Sequence, residues 1–250
     1  MRILLFLSAI ALFLSCNPQH QELARWQEHA DNTTIYRDDF GVPHIYGKTD
    51  ADAVFGLLYA QCEDDFPRIE RNYLWAIGRL AEVEGEKQLY SDVRANLFMS
   101  REEAIAQYEN SPEWLKKLCD AFADGINYYL HTHPEVKPVL LTRFEPWMPM
   151  YFSEGSIGGD IESISTEKLE VFYKQLGEDS NIDAINQQEA KAVIDQLQWE
   201  QDLDEPQGSN GIAISGKLTQ SGNAMLLINP HTSFYFRGEV HVVSEEGLNA

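Results

Sequence analysis

The first strong pattern in the chain is a long run of apolar residues at helical spacing. Residues 51–65 carry apolar side chains at intervals of three and four and follow Asp50, which can cap a helix. Pro67 predicts a kink or a restart, after which the pattern continues to about residue 77. The sequence therefore predicts a long, largely buried helix with an interruption near Pro67.

Two further stretches predict amphipathic helices. Ser111-Pro112-Glu113 combines a capping residue with a proline in the first turn, and one apolar stripe then runs to residue 130. His131 and His133 follow this stripe and are interpreted as loop histidines. A shorter stripe covers residues 166–176. These patterns predict a mostly helical region up to about residue 180.

The region before the first helix is predicted to be extended. Residues 33–46 are rich in β-formers and contain a turn at Asp38-Asp39. Pro43 favours an edge strand or an irregular one. The neighbouring His44 is interpreted as structural.

Near the end of the chain, two short apolar runs predict a β-hairpin. Residues 210–215 and 224–228 flank a polar loop and are bounded by Gly208-Ser209 and Asn229-Pro230-His231. Antiparallel pairing would bring Ser209 and His231 to the same end of the hairpin.

Ser209 is the candidate nucleophile. A serine hydroxyl needs a base to take its proton. Cleavage of the Gly208–Ser209 bond would give Ser209 a free α-amine, whose pKa of about 7.7–8.0 suits a base near neutral pH. Gly208 adds no side chain at the turn where Ser209 would attack. The triplet Gly208-Ser209-Asn210 alone favours an ordinary turn before a strand.

Residues 1–16 have the features of a targeting segment. Arg2 precedes an apolar run that is too short to span a bilayer comfortably. Phe13-Leu14-Ser15-Cys16 resembles a bacterial lipobox, which predicts lipidation at Cys16 and an anchored lipoprotein in the periplasm or outer membrane of a Gram-negative bacterium. Plain secretion is the alternative. Residues 17–32 are interpreted as a polar tether.

Charge and the other reactive residues limit the possible partners. The formal net charge of −21 argues against nucleic acid and anionic membrane surfaces. Cys62 and Cys119 lie among apolar residues and are interpreted as buried free thiols, although an oxidising compartment would permit a bridge. The acidic run 63–65 is interpreted as a solvated helix end rather than a metal site.

Several motifs, in order along the chain, resemble the penicillin acylase family of N-terminal-nucleophile hydrolases. The resemblance covers the chain from about Ile35 onward. Its motifs are residues 39–45 (DFGVPHI), 60–65 (AQCEDD), 78–82 (GRLAE), 155–160 (GSIGGD), 208–210 (GSN) and 229–231 (NPH).

The resemblance implies a fold and a chemistry. The family fold is an α+β, four-layer αββα sandwich. It implies a mostly helical α-subunit over residues 33–180, an excised acidic spacer over 181–208, and a β-subunit that starts at 209. It implies hydrolysis of a small-molecule amide, either penicillin-like, cephalosporin-like or an N-acyl-homoserine lactone. His231 would orient the α-amine, as in the acyl-homoserine-lactone, aculeacin and cephalosporin acylases.

Other expectations concern a bound metal ion and whether the chain contains the whole β-subunit. No cofactor is expected for catalysis. Glu162 is a candidate ligand for a structural calcium ion, because hard cations prefer carboxylate oxygens, with helix capping as the alternative. Residues 209–250 are too few to build two sheets, so we expect a truncated chain that lacks the rest of its β-subunit and is inactive alone. A non-catalytic binding or scaffold lipoprotein is the competing hypothesis.

Overall fold

The computed structural model describes residues 18–152, 164–178, 210–229 and 238–250. Of the described residues, 18–152, 164–175 and 240–250 belong to one compact unit, and 176–178, 210–229 and 238–239 belong to another. In chain order the elements are α1 (Pro18–Asp31), β1 (Thr33–Arg37), β2 (Pro43–Gly47), α2 (Asp50–Ala76), α3 (Ala81–Glu84), α4 (Leu89–Phe98), α5 (Arg101–Glu109), α6 (Glu113–Thr132), α7 (Thr166–Glu178), β3 (Asn210–Ile214), β4 (Met225–Asn229) and β5 (His241–Ser244).

Helix α2 confirms the long helix and its interruption. Asp65 has non-helical backbone angles, two residues before Pro67, as expected for a residue near a proline within a helix. The predicted cap at Asp50 is wrong, because the N-cap is Thr49. Thr49 Oγ1 accepts from the backbone of Asp52, whose carboxylate accepts in return from the backbone of Thr49, which makes a capping box.

Helix α6 packs against α2 to form the centre of the first unit. Gly125 makes the close approach possible, because a Cβ there would lie 2.4 Å from the carbonyl oxygen of Phe55. The stripe is confirmed at Ile126 and Tyr129, which are buried. Ser111 does not cap the helix, since its hydroxyl donates to the Gln107 carbonyl and completes the preceding turn.

The end of α6 differs from the prediction. His131 lies in the last helical turn, and His133 is the C-cap residue. Both rings stack on tyrosines of the same helix, His131 on Tyr128 and His133 on Tyr129 at a centroid distance of 4.3 Å. These contacts between side chains three and four residues apart extend the helix beyond the apolar stripe.

The polar-tether interpretation of residues 17–32 is wrong for α1. Asp124 of α6 is buried and accepts from Arg25 Nε at 2.6 Å and from Trp26 Nε1 at 2.7 Å. Trp26 is buried as well. The sequence is polar on average, but the helix docks through buried Trp26 and through polar contacts that also include His29 Nδ1 to Asp52 Oδ1 at 2.7 Å.

A three-stranded sheet brings residues 33–47 together with residues 241–244, which lie about 200 positions later in the chain. Strand β1 pairs with β2 in antiparallel fashion, which confirms the extended region. The edge-strand expectation is wrong, because β2 is the central strand and Pro43 is its first residue, a position where a missing N–H is tolerated. Strand β5 pairs with β2 in parallel, and Val242 shares a buried cluster with Ile45, Ala53 and Ala60. Strand β5 has no counterpart among the predicted elements, and its residues Val242 and Ser244 are buried beside β2. That residues 209–250 form the start of a β-subunit stays a prediction.

Candidate active site

Strands β3 and β4 confirm the predicted hairpin. They pair in antiparallel register from Asn210 opposite Asn229 to Ile214 opposite Met225. The loop between them contains Gly222 with a φ of +77°, a conformation that favours glycine. The start of β3 and the end of β4 therefore lie at the same end of the hairpin.

The predicted catalytic residues flank this paired end. Gly208 and Ser209 precede Asn210 and lie outside the described residues, as does His231 beyond Asn229. Cys16 and Glu162 also lie outside them. Of the predicted site, the structure thus describes Asn210 and the strand pairing, and the convergence of Ser209 with His231 stays a prediction.

In the other unit, an apolar groove of about 460 Å³ runs between α2, α6 and the segment after residue 148. Tyr73 forms part of its wall, with its ring edge-to-face against Phe144 at 4.9 Å and Phe152 at 5.0 Å. The Tyr73 hydroxyl is buried and has no hydrogen-bond partner among the described residues. Burial, followed by the neighbouring Cys62 and Cys119, raises the pKa of this hydroxyl well above its usual range.

The wall of this groove depends on buried polar anchors that the sequence did not reveal. The Glu70 carboxylate accepts from three consecutive backbone N–H groups, those of Val139, Leu140 and Leu141, at 2.7–2.9 Å. Asn127 binds both the N–H and the carbonyl of Phe144. The Glu70 carboxylate thus fixes residues 139–141 to α2, and the Asn127 side chain fixes Phe144 to α6.

The two cysteines behave as predicted. Cys62 and Cys119 are both buried and free. Burial raises the pKa of Cys62, and it raises that of Cys119 to about 11. Such thiols are mostly protonated at neutral pH and are poor nucleophiles.

The acidic run 63–65 was predicted to be a helix end, but it lies inside α2, where it ends at the kink at Asp65. Arg37 lies 3.2 Å from Glu63 and 2.9 Å from Asp64, and Arg68 lies 3.2 Å from Asp65. In the described part of the chain, no three His, Cys, Asp or Glu side chains converge so as to hold a metal ion. Across the same ranges, no helix has both the length and the apolar character required to cross a bilayer.

Comparison with known proteins places these features in a family. A sequence model described as penicillin amidase matches residues 32–244. The acyl-homoserine lactone acylase QuiP of Pseudomonas aeruginosa is 33% identical over 124 residues, which are 48% of this chain and 15% of that protein. The acyl-homoserine lactone acylase PvdQ of Pseudomonas savastanoi pv. phaseolicola is 23% identical over 230 residues, 84% of this chain and 29% of that protein.

Among solved structures, a thermostable penicillin G acylase from Alcaligenes faecalis aligns with a TM-score of 0.45 and 18% identity, over 70% of this chain and 95% of that one. The chain spans 15% to 29% of the length of the two curated relatives above. The family match itself extends over most of the chain and includes the GSN and NPH motifs around the hairpin. The chain therefore belongs to the penicillin amidase family.

Proposed function

We propose that this chain supplies the helical scaffold and the nucleophile of an amide hydrolase that removes acyl groups from small molecules. Family membership over residues 32–244 supports amide hydrolysis, and the names of the relatives favour N-acyl-homoserine lactones as substrates over penicillin-like amides. The observation that carries the proposal is the register of the hairpin. Asn210 lies directly opposite Asn229, so Ser209 and residues 230–231 leave the strands at the same end.

The proposed mechanism begins with processing. Ser209 Oγ attacks the Gly208 carbonyl, and the acyl group shifts from the Ser209 nitrogen to Oγ as the peptide C–N bond breaks. Water then hydrolyses this ester, which releases the Gly208 carboxylate and leaves Ser209 as an N-terminal residue with a free hydroxyl and α-amine. Its α-amine then takes the hydroxyl proton as Ser209 attacks the acyl carbonyl of the substrate. The same amine returns the proton to the leaving amine, and water hydrolyses the acyl-enzyme to release the acid.

His231 is proposed to orient the α-amine rather than to react itself. A residue that holds a base in place affects turnover without being indispensable, since the nucleophile and its base both belong to Ser209. Asn210, paired with Asn229 at the end of the hairpin, is proposed to support the geometry of the residue before it.

A lipid anchor and a metal site complete the proposal. We propose that Cys16 carries a lipid and that Glu162 contributes to a structural calcium site. Fatty-acid labelling of the wild type, lost in Cys16→Ser, tests the first. A chelator-induced fall in Tm that Glu162→Ala abolishes tests the second, because an ion bound only to the folded state stabilises it.

The deciding experiment uses protein expressed from its complete gene. Ser209→Ala removes the nucleophile for both steps, so we expect an uncut and inactive precursor. Ser209→Cys retains a nucleophile, so cutting should continue while turnover falls. His231→Ala should still be cut, with hydrolysis reduced several-fold or more.

Ser221→Ala is the matched control, because Ser221 is an exposed serine in the loop of the same hairpin. It should be cut and active like the wild type. Gel analysis, N-terminal sequencing and release of a chromogenic acyl amide provide the readouts. A mature terminus of Ser-Asn-Gly-Ile supports the mechanism. An active, normally cut Ser209→Ala protein would disprove it, and an uncut, inactive wild type would favour a binding or scaffold role.

A further inference from the structure

A pair of histidines joins strands β2 and β5 on the partly exposed face of the three-stranded sheet. His44 lies directly opposite His241 in the parallel register, although the two are far apart in sequence. Their Nδ1 atoms are 3.0 Å apart, and the ring planes are inclined by 73°. Two imidazole nitrogens, which are common metal ligands in proteins, therefore lie within hydrogen-bond distance of each other.

The carboxylate of Asp38 lies next to the His44 ring, on the side that carries Nε2. Asp38 Oδ2 lies 3.5 Å from His44 Nε2, and Asp38 Oδ1 is held by the backbone N–H groups of Phe40 and Val42. A proton on Nε2 would face this carboxylate and would leave the lone pair of His44 Nδ1 on the side of His241. Histidines that bind metals characteristically donate their other ring N–H to a carboxylate in this way.

Aromatic rings flank the pair and leave it accessible. Tyr36 lies 6.2 Å from His44, and Tyr46 lies 6.1 Å from His241, between ring centroids. The side chain of His44 is 28% exposed. The face is thus open enough for an ion and its water ligands, while the neighbouring rings restrict how far the imidazoles can turn.

We propose that His44 and His241 chelate one divalent transition-metal ion through their Nδ1 atoms, with Asp38 orienting His44 and solvent completing the coordination. For a metal–nitrogen distance of about 2.0–2.1 Å, the observed separation corresponds to an angle of roughly 90–100° at the metal. That angle suits adjacent positions of a tetragonal Cu²⁺ or Ni²⁺ site better than a tetrahedral Zn²⁺ site.

The position of the pair gives the ion a structural role. Strand β5 lies beyond residue 209, so cleavage at the position proposed above would leave β2 and β5 on different chains. Resting on that proposed function, the ion joins the two subunits after maturation. It adds to contacts already present across the same boundary, where Val242 packs beside Ile45 and the Asp50 backbone N–H donates to Glu246.

The test is a Cu²⁺ titration of the protein followed by electron paramagnetic resonance. One equivalent should bind with hyperfine structure from two nitrogens. His44→Gln and His241→Gln should each abolish that signal. Asp38→Asn should weaken binding about tenfold, the usual effect of removing a group that orients a ligand. His131→Gln is the matched control, since this exposed histidine lies on α6 and should leave binding unchanged.

Thermal unfolding with and without Cu²⁺ provides a second measurement. The ion should raise the Tm of the wild type, and EDTA should reverse the rise. If one substitution prevents folding, the other histidine variant and the EDTA reversal still decide the question. Equal binding by the wild type and both variants would identify an adventitious ion only and overturn the proposal.

Repeating the titration in the Ser209→Ala protein separates the two hypotheses. Metal binding does not require cleavage, so the uncut chain should bind Cu²⁺ as the wild type does. Failure of processing would then leave the metal site standing, while absence of the two-nitrogen signal would overturn the site whatever the outcome for Ser209.

Discussion

The helical core and the β3–β4 hairpin differ most in how much of their apolar surface is buried. Around α2 and α6, side chains such as Phe144, Leu74 and Ile126 are almost completely buried. In the hairpin every residue of both strands is exposed, and Leu227 retains 56% of its accessible surface. A two-stranded hairpin is marginally stable by itself, and exposed apolar patches mark surfaces that pack against other protein.

This difference in burial distinguishes the first unit, which has a packed core, from the hairpin, which adjoins the proposed nucleophile. The first unit derives its stability from burial and places its polar groups as anchors, as Glu70 and Asp124 illustrate. The hairpin contributes little buried surface, and the proposed nucleophile directly precedes its first strand. The element next to the proposed nucleophile therefore has little buried apolar surface of its own, and the following predictions test that contrast.

The largest loss in the free energy of unfolding is expected for a substitution at the centre of the helical core. Phe144→Ala removes a ring that is fully buried and packs edge-to-face on Tyr73 and Phe66. Such a change should lower the free energy of unfolding by about 3–5 kcal/mol. Phe40→Ala is the matched control, because Phe40 is 92% exposed, and it should change stability by less than about 0.5 kcal/mol. Urea unfolding measures both, and similar losses would contradict the assignment of the core.

A smaller but still large effect is expected at Glu70. Glu70→Ala leaves three N–H groups of residues 139–141 without their acceptor, at a cost of roughly 2–4 kcal/mol. Glu70→Gln keeps one acceptor oxygen, so its free energy of unfolding should fall by less than that of Glu70→Ala. Chemical denaturation gives the values, and hydrogen exchange at residues 139–141 shows where the loss occurs. Unchanged exchange at these amides would show that the carboxylate does not hold them.

The docking of α1 should depend on the ion pair between Arg25 and Asp124, in which Asp124 is buried and Arg25 is partly exposed. Arg25→Ala leaves Asp124 with Trp26 as its remaining side-chain partner in the described structure. Because Arg25 is about half exposed, we expect a loss of roughly 1–2 kcal/mol, less than for a fully buried pair. Limited proteolysis should then cut within residues 18–31. Resistance equal to that of the wild type would mean that the other contacts of α1, which include Trp26 with Asp124 and His29 with Asp52, dock the helix without Arg25.

The sequence predicted elements whose signals are local and missed contacts between distant residues. Periodicity identified α2, α6, α7 and the hairpin, because one face of each carries its own apolar pattern. It could not show that α1 docks through Asp124 or that β5 joins β2, since both depend on partners about 100 and 200 residues away. For the same reason the hairpin was predicted correctly, while the His44–His241 pair was not.

The smallest effect is expected in the hairpin, where Leu227→Ala can be compared with Leu74→Ala in the core. Leu74 is 2% exposed, so its truncation should cost about 2–5 kcal/mol. Truncation of Leu227 should cost less than about 0.5 kcal/mol in this chain, because its side chain already contacts water. Thermal unfolding of the two variants side by side gives the comparison.

The same pair of substitutions also bears on the proposed function. In protein expressed from the complete gene, the apolar faces of β3 and β4 should be covered by further strands if the chain supplies part of a larger catalytic sheet. Leu227→Ala should then cost clearly more than in the 250-residue chain, while Leu74→Ala should cost the same in both. An unchanged small effect of Leu227→Ala in the complete protein would show that its side chain stays in water. The hairpin would then be a surface element, and Ser209 would be poorly placed for catalysis within a sheet.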